Sequence, residues 1–375
     1  MLPRSALRTG LLRGGALALG AAFLLHAGLV VSCCTAPRVP AGPLLDASPP
    51  PTVDERLDLA CRYAPLVFQE TDARRGREDL PSNIDFDGDL VGRNNWENFE
   101  RFRLVPTVYY ALLETETHLF LTFHLFHPRD WAPFPLGLQD THENDGENLQ
   151  VVVEKGTGLP VLLFAQAHYR GRAYANDRAR FRDREVRIRA GFRTFDDAGA
   201  PDPAGTHVAV YVESQGHGIY GSEDRSARIS IGPGGEGRFK KGSGLVLRPA
   251  REGEEVRQPA SFTSGTVPYR LESTIAKLWP GVRDGTLVGN GALFDWPCPY
   301  EDARVRLARL PRAYDGDRYS GPLGNDRGIS PFAVSFGFSC GEVGSLFFDP
   351  AARWKRALRI SEAWESRYLE DPFPR

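Results

Sequence analysis

Residues 105–126 read VPTVYYALLETETHLFLTFHLF, and this stretch decides the fold class. Val105–Leu113 and His118–Phe126 are dense in β-branched and aromatic residues, the side chains that fit a pleated, half-buried surface. The same composition recurs in Leu149–Val153, Val161–Ala167, His207–Glu213 and Ala227–Ile231. Turn-rich intervals such as Asp197–Gly205 and Gly232–Gly237 separate several of these segments. Nowhere does strand alternate with helix as in a parallel α/β domain. The expected architecture is mainly β: an antiparallel, jelly-roll-like β-sandwich with short N- and C-terminal helices. The opening helix follows from Thr52 and Glu55 as a capping box, then Leu57, Ala60, Cys61 and Ala64 at helical spacing up to Pro65. The closing helix follows from Asp349 as N-cap, Pro350 at its first position, and Trp354, Ala357, Leu358 and Trp364 on one face.

Ahead of these segments stand Arg4, Arg8 and Arg13 without an acid, then an apolar run from Ala16 to Val31. That is the layout of a secretory signal, and the run is shorter than the roughly 20 residues of a spanning helix. It ends in Val30-Val31-Ser32-Cys33, which resembles the lipobox of bacterial lipoproteins. The resemblance implies that residues 1–32 are removed and Cys33 carries a lipid; Cys34, in place of an aspartate, favours the outer membrane. Residues 33–52 then form a proline-rich tether, since proline fixes φ and removes donors, and 53–375 form a single domain. Cys61, Cys298 and Cys340 allow one disulfide and one free thiol, or three reduced thiols. A formal net charge of −2 gives no global signal for nucleic acid.

The densest chemistry lies in Asp140-Thr-His142-Glu143-Asn-Asp145-Gly-Glu147, leading into Leu149–Val153. On an extended segment Asp145 and Glu147 point to one side, and His142 in the preceding loop can fold over the same spot. Carboxylate oxygens with one nitrogen suit Mg²⁺, Ca²⁺ or Mn²⁺. A solvated acidic turn would use the same residue types.

His142-x-x-Asp145-x-Glu147 resembles the histidine-aspartate-tryptophan-glutamate core of the necrosis- and ethylene-inducing-peptide-like proteins. It is also similar to the histidine-glutamate-glycine-aspartate-tryptophan-glutamate motif of the vacuolar protein sorting-associated protein 62 family. The second resemblance is longer. Tyr63-Ala-Pro-Leu-Val, Leu80-Pro-Ser82, Pro106–Tyr110, Leu119–His124, Phe164–His168 and Val208–His217 resemble successive pieces of that family. What the resemblance implies is a β-sandwich with a cation near His142, Asp145 and Glu147, and with His168 and His217 nearby. It further implies recognition of a glycan or lipid headgroup at a membrane. Gly146 stands where both families carry tryptophan, and either Asp140 or Asp130 would match an upstream aspartate of the toxin-like proteins.

Two weaker signals remain. Asn83-x-Asp85-x-Asp87-Gly88-Asp89 resembles the first half of a calcium loop, although Asn94 stands where a bidentate glutamate belongs. Arg170–Arg193 holds nine arginines against Asp177, Asp183 and Glu185, a surface suited to an anionic glycan or lipid headgroup; but with 41 arginines to five lysines in the whole chain, a solvated face built by compositional bias explains it as well. The pair Ser339-Cys340 lacks a sequence-readable base for nucleophilic catalysis. The enzymatic alternative is a metal-dependent hydrolase, with His168 or His217 as general base beside an ion at His142, Asp145 and Glu147.

Overall fold

The computed structural model describes residues 43–50, 52, 54–131, 141–167, 170–221, 242–287, 330–337 and 342–370. Residues 1–32, Cys33, Asp140, His168, Ala227–Ile231, Cys298 and Cys340 lie outside the described residues. In chain order the strands are β1 (Leu66–Asp72), β2 (Thr107–Thr115), β3 (His118–Trp131), β4 (Thr141–Glu154), β5 (Leu159–Ala167), β6 (Arg170–Ala175) and β7 (Phe181–Asp183). There follow β8 (Thr194–Phe195), β9 (His207–Val212), β10 (Ile219–Gly221), β11 (Gly242–Pro249), β12 (Thr266–Ser273), β13 (Leu358–Ile360) and β14 (Tyr368–Glu370). The helices are α1 (Leu57–Tyr63), α2 (Asn95–Asn98), α3 (Trp279–Asp284), α4 (Ser345–Phe348) and α5 (Pro350–Ala357). All belong to one unit that begins at Leu44.

Twelve strands join one sheet in the order β10-β9-β1-β11-β12-β2-β3-β4-β5-β6, with β14 on β2 and β8 on β9; β7 and β13 make a separate ribbon. The chain is mainly β, as its composition leads one to expect, and the strand directions need correction. β1 runs parallel to β9, and β12 runs parallel to both β11 and β2, so the sheet is mixed. Parallel neighbours need long connections and leave no turn motif in the sequence. β10 lies against β5. A Cβ on Gly221 of β10 would stand 2.6 Å from the Tyr174 ring of β6. The sheet therefore curves until its two ends meet around the core.

β3 and β4 pair from His118↔Glu154 through to Trp131↔Thr141. Asp145 and Glu147 are extended as expected, and His142, expected in the preceding loop, is itself on the strand opposite Asp130. Both faces of this pair are buried. One carries Leu121, Phe123 and Leu125 beside Leu149, Val151 and Val153; the other carries Thr122 and His124 beside Gln150 and Asn148. Gln150 donates to Thr122 Oγ1 and to the Leu346 carbonyl, each at 2.7 Å, and accepts from Trp354 Nε1 at 2.8 Å. Its buried amide is satisfied and pins α5 to the sheet.

The ends differ from expectation in detail. The Thr52/Glu55 capping box does not form; Arg56 precedes α1 without a side-chain cap, and Thr52 N–H donates to Glu272 Oε2 at 3.1 Å. Ala64, held extended before Pro65, ends the helix. Leu45, within the proline-rich stretch, exchanges backbone hydrogen bonds with Arg101 and Arg103, both 2.8 Å, so this part docks on the domain. At the other end Asp349 caps α5 through Ala352 N, but the helix stops at Ala357. Leu358 turns into β13 against β7, and Trp364 packs back by donating Nε1 to the Ala351 carbonyl. Cys61 carries a free thiol.

Candidate functional site

The site forms where β3 and β4 pass the loop that follows β9. His127 on β3 sits directly opposite Asp145 on β4, so their side chains share a face. The third group, His217, comes from that loop. Gln215 and His217 adopt left-handed φ values of 74° and 48°, which cost energy for residues with a Cβ. Acids from β1 and the turn after it hold them there. Glu70 Oε2 accepts from Ser214 N at 3.2 Å, Asp79 Oδ1 from Gln215 N at 2.7 Å, and Asp72 Oδ2 from Gln215 Nε2 at 2.9 Å.

His217, fully buried, lies between two carboxylates: Nδ1 is 2.7 Å from Asp145 Oδ2 and Nε2 is 3.2 Å from Asp79 Oδ1. Burial disfavours its charge, but the two aspartates outweigh burial and push its pKa up to about 10. His127 stacks on His217, ring centroids 3.7 Å apart and 7° from parallel. Burial, helped by the neighbouring His217 and His124, holds His127 well below the usual imidazole range, so its ring is neutral. Neither of its nitrogens has a hydrogen-bond partner among the described residues, although the side chain is wholly buried. Ligand atoms of His127, Asp145 and His217 all lie within 4.8 Å of one another.

A second layer surrounds these three. His142 Nε2 is 3.5 Å from Asp130 Oδ2, its neighbour across the strand pair, and its Nδ1 is 3.0 Å from the Glu143 carbonyl. Against the pull of burial, Asp130 and then Asp145 push His142 up to about 9. Burial raises the Asp130 carboxyl to about 6, and its Oδ1 has no hydrogen-bond partner among the described residues. The start of β4 is fixed from outside by α2: Trp96 N donates to Glu143 Oε2 at 2.6 Å, and Asn95 and Gly92 bind Asn144. Arg129 is clamped between the Trp96 and Phe99 rings, 4.3 and 4.4 Å from their centroids.

Two imidazole nitrogens and a carboxylate oxygen that converge in a buried place form a donor set for a divalent ion. Of the residues that the spacing put forward, Asp145 belongs to the convergent set. His142 faces Asp130 in the second layer. Glu147 is buried two residues beyond Asp145, and its charge adds to burial and Glu213 in raising the Tyr220 phenol. His217 joins the cluster as a member, with both nitrogens already facing aspartate oxygens. Phe126 pairs with Gly146 across β3 and β4, so an aromatic residue stands directly opposite the glycine. In the calcium-like segment, Asn83 Nδ2 is bound to Asp85 Oδ1, Asp85 Oδ2 meets Lys277 Nζ at 2.8 Å, Asp87 accepts from Asn98, and Asp89 accepts from Val91 N. These four side chains face protein partners rather than a common centre.

The spacing did not find His127 or Asp79. His127 carried a usable signal, since a strand prolonged past Phe126 puts it on the face of Phe123 and Leu125. Asp79 carried none, because the turn that brings it to His217 depends on distant strand pairing.

No family model matches the chain, and no curated protein matches it. Solved structures do. One is Necrosis and Ethylene inducing Protein 2 from the causal agent of cocoa's Witches Broom disease, at 15% identity and TM-score 0.29, covering 48% of this chain and 76% of that one. A second is the protein NLPPya in complex with glucosamine, at 15% identity and TM-score 0.25, covering 54% and 78%. A third is the non-toxic HaNLP3 protein, at 13% identity and TM-score 0.26, covering 53% and 78%. The likeness is to toxin-fold proteins and reaches about half of this chain. None of these structures is of the vacuolar protein sorting-associated family.

Proposed function

We propose that this chain is an exported, outer-membrane-anchored lipoprotein whose domain binds a divalent cation at His127, Asp145 and His217 and recognises a glycan or lipid headgroup. The observation that carries the cation is His127. A buried imidazole with neither nitrogen bonded is costly, and an ion beside Asp145 and His217 would satisfy it. Its neutral state is the one a metal ligand needs, and an entering ion would have to displace the proton that His217 shares with Asp145. Asp79, bound to the second nitrogen of His217, is placed like the outer carboxylates that orient metal-bound histidines. When bound, the ion would supply a fixed positive charge able to attract an anionic or hydroxyl-rich group.

With two imidazoles in the donor set, Mg²⁺ and Ca²⁺ are less favoured than the sequence spacing implied; Mn²⁺ stays in contention, and Zn²⁺ and Fe²⁺ enter it. The lipid anchor rests on the Cys33 lipobox, and the ligand class on the His142-x-x-Asp145-x-Glu147 resemblance. The hydrolytic alternative asks His168 or His217 to take a proton; His168 lies outside the described residues, and both nitrogens of His217 already face aspartates.

The test is elemental analysis of the full chain in detergent after dialysis against mixed divalent ions. A stoichiometric ion is expected in the wild type. It should be lost in Asp145→Asn and in His127→Leu, with circular dichroism unchanged. Metal-free wild-type protein, or equal metal in both variants, would overturn the cation site.

A further inference from the structure

The ribbon of β7 and β13 sets two arginines face to face. Its register pairs Leu358 with Asp183, Arg359 with Arg182, and Ile360 with Phe181. Phe181 and Leu358 are buried, so by the two-residue period of a strand Arg182 and Arg359 share the outer face, and both are exposed. Like charges placed directly opposite on a strand pair weaken it. Neither guanidinium has an ion-pair partner among the described residues.

The segment that continues from β7 adds to the same region. Glu185 N and Val186 N both donate to the Ala357 carbonyl, which brings Arg184 and Arg187 up to the end of α5 beside β13. Both arginines are exposed. Lys355 and Arg356 lie in the last turn of α5, where cations suit the helix dipole and have a structural explanation. The ribbon arginines have no such explanation.

Among the described residues, none of the acids of the segment pairs with these arginines. Asp177 accepts from Ala179 N and Arg180 N. Asp183 accepts from Ile188 N at 2.9 Å and reaches Arg178 at 3.4 Å. Glu185 is held by the buried Arg353 at 3.0 Å. Beyond the ribbon, Glu342 is taken by Arg353 and Arg356. A bias toward arginine accounts for many arginines; it does not account for two set directly opposite one another, with neither paired to an acid among the described residues.

We propose that the Arg182, Arg184, Arg187 and Arg359 face binds an anionic lipid surface through the phosphates of its headgroups. The guanidinium fork matches phosphate oxygens two at a time, and exposed basic clusters are drawn to anionic leaflets within a Debye length. The choice of a lipid surface over a dissolved anion rests on the lipoprotein reading; the arginine face itself rests on the ribbon and not on the cation site.

The full chain is incubated with vesicles of phosphatidylcholine, alone or mixed with phosphatidylglycerol, and treated with an arginine-selective dicarbonyl reagent; modification is read residue by residue by mass spectrometry. Reactivity at Arg182, Arg184, Arg187 and Arg359 should fall several-fold in the mixed vesicles and return at high salt. Arg257 and Arg367, exposed elsewhere, should react alike in both. Arg182→Gln with Arg359→Gln should reduce the protection of Arg184 and Arg187, whereas Asp145→Asn should leave protection intact even if the cation reading fails. Equal reactivity in the two vesicle types overturns the proposal. So does equal protection by inorganic phosphate with phosphatidylcholine alone, which would make the face a site for a free anion.

Discussion

Replacing Asp79 by asparagine probes the support of the site without touching a proposed cation ligand. The aspartate is 1% exposed and receives three donors: Asp72 N on Oδ2 at 2.6 Å, and Gln215 N and His217 Nε2 on Oδ1 at 2.7 and 3.2 Å. An amide cannot replace it in either orientation. One of its two ends must turn an N–H toward a protein N–H, which leaves buried donors unsatisfied at roughly 1–3 kcal/mol each, and the charge-assisted bonds that remain weaken. A total loss of about 3 kcal/mol follows, or about 6 °C in melting temperature at the low slope that suits a large domain. Differential scanning calorimetry in the presence of a chelator measures this apart from any ion. A second readout is ion affinity by competition with a chromophoric chelator, expected to weaken about 10–100-fold as for other outer carboxylates behind a metal-bound histidine. A shift of less than about 1 °C would refute the argument that Asp79 holds the strained Gln215–His217 loop.

Two further outcomes follow from other residues. Burial pulls the His118 imidazole down to about 4, so between that value and its ordinary 6.5 the ring is neutral when folded and protonated when unfolded. Stability should therefore be fully present above pH 6.5 and fall as the pH drops toward 4, by at most about 3 kcal/mol; the charge of Glu154 works in the opposite direction. His118→Gln should flatten that part of the pH profile in urea unfolding, and an unchanged slope would count against the burial argument. Gly92→Ala would put a Cβ 2.7 Å from Asn144 Nδ2, a side chain already bound to the Gly92 carbonyl and to Asn95. Thermal denaturation should show a loss of roughly 1–3 kcal/mol, as for other overpacked sites, and wild-type stability would mean that Asn144 moves freely.

The sequence revealed the β-rich segments that pair locally and hid those that pair at a distance. β2, β3 and β5 are legible because their apolar and aromatic residues are continuous. β1 is not: Gln69, Glu70 and Thr71 interrupt its apolar run, and they are buried because β9 and β11 flank the strand, with Ser214 bonding Glu70 and the Phe262 carbonyl bonding Thr71. The start of β4 was hidden for a related reason, since the stretch around His142 is polar enough for a turn and becomes strand through partners on β3. Within the site, Asp145 and His217 can be singled out from motif and residue type. Their meeting cannot, because it is made by β9, β1 and the Asp79 turn, which are far apart in the chain. His127 was within reach of alternation alone, had the strand been carried one residue further.

The central position of β1 has a consequence for how the chain reaches its fold. Leu66 pairs with Ala209 and Val67 with Leu247, so the first strand to emerge waits for partners made much later. β2 through β5, joined by near neighbours, can assemble at once, whereas β1 stays an open edge until β9 and β11 arrive to flank it. Pairings of such long sequence separation are slow to form, and an uncovered edge invites other chains in the meantime. Closure of the sheet is therefore a late step, and a holding factor acting on the unfinished chain would find its natural target in β1.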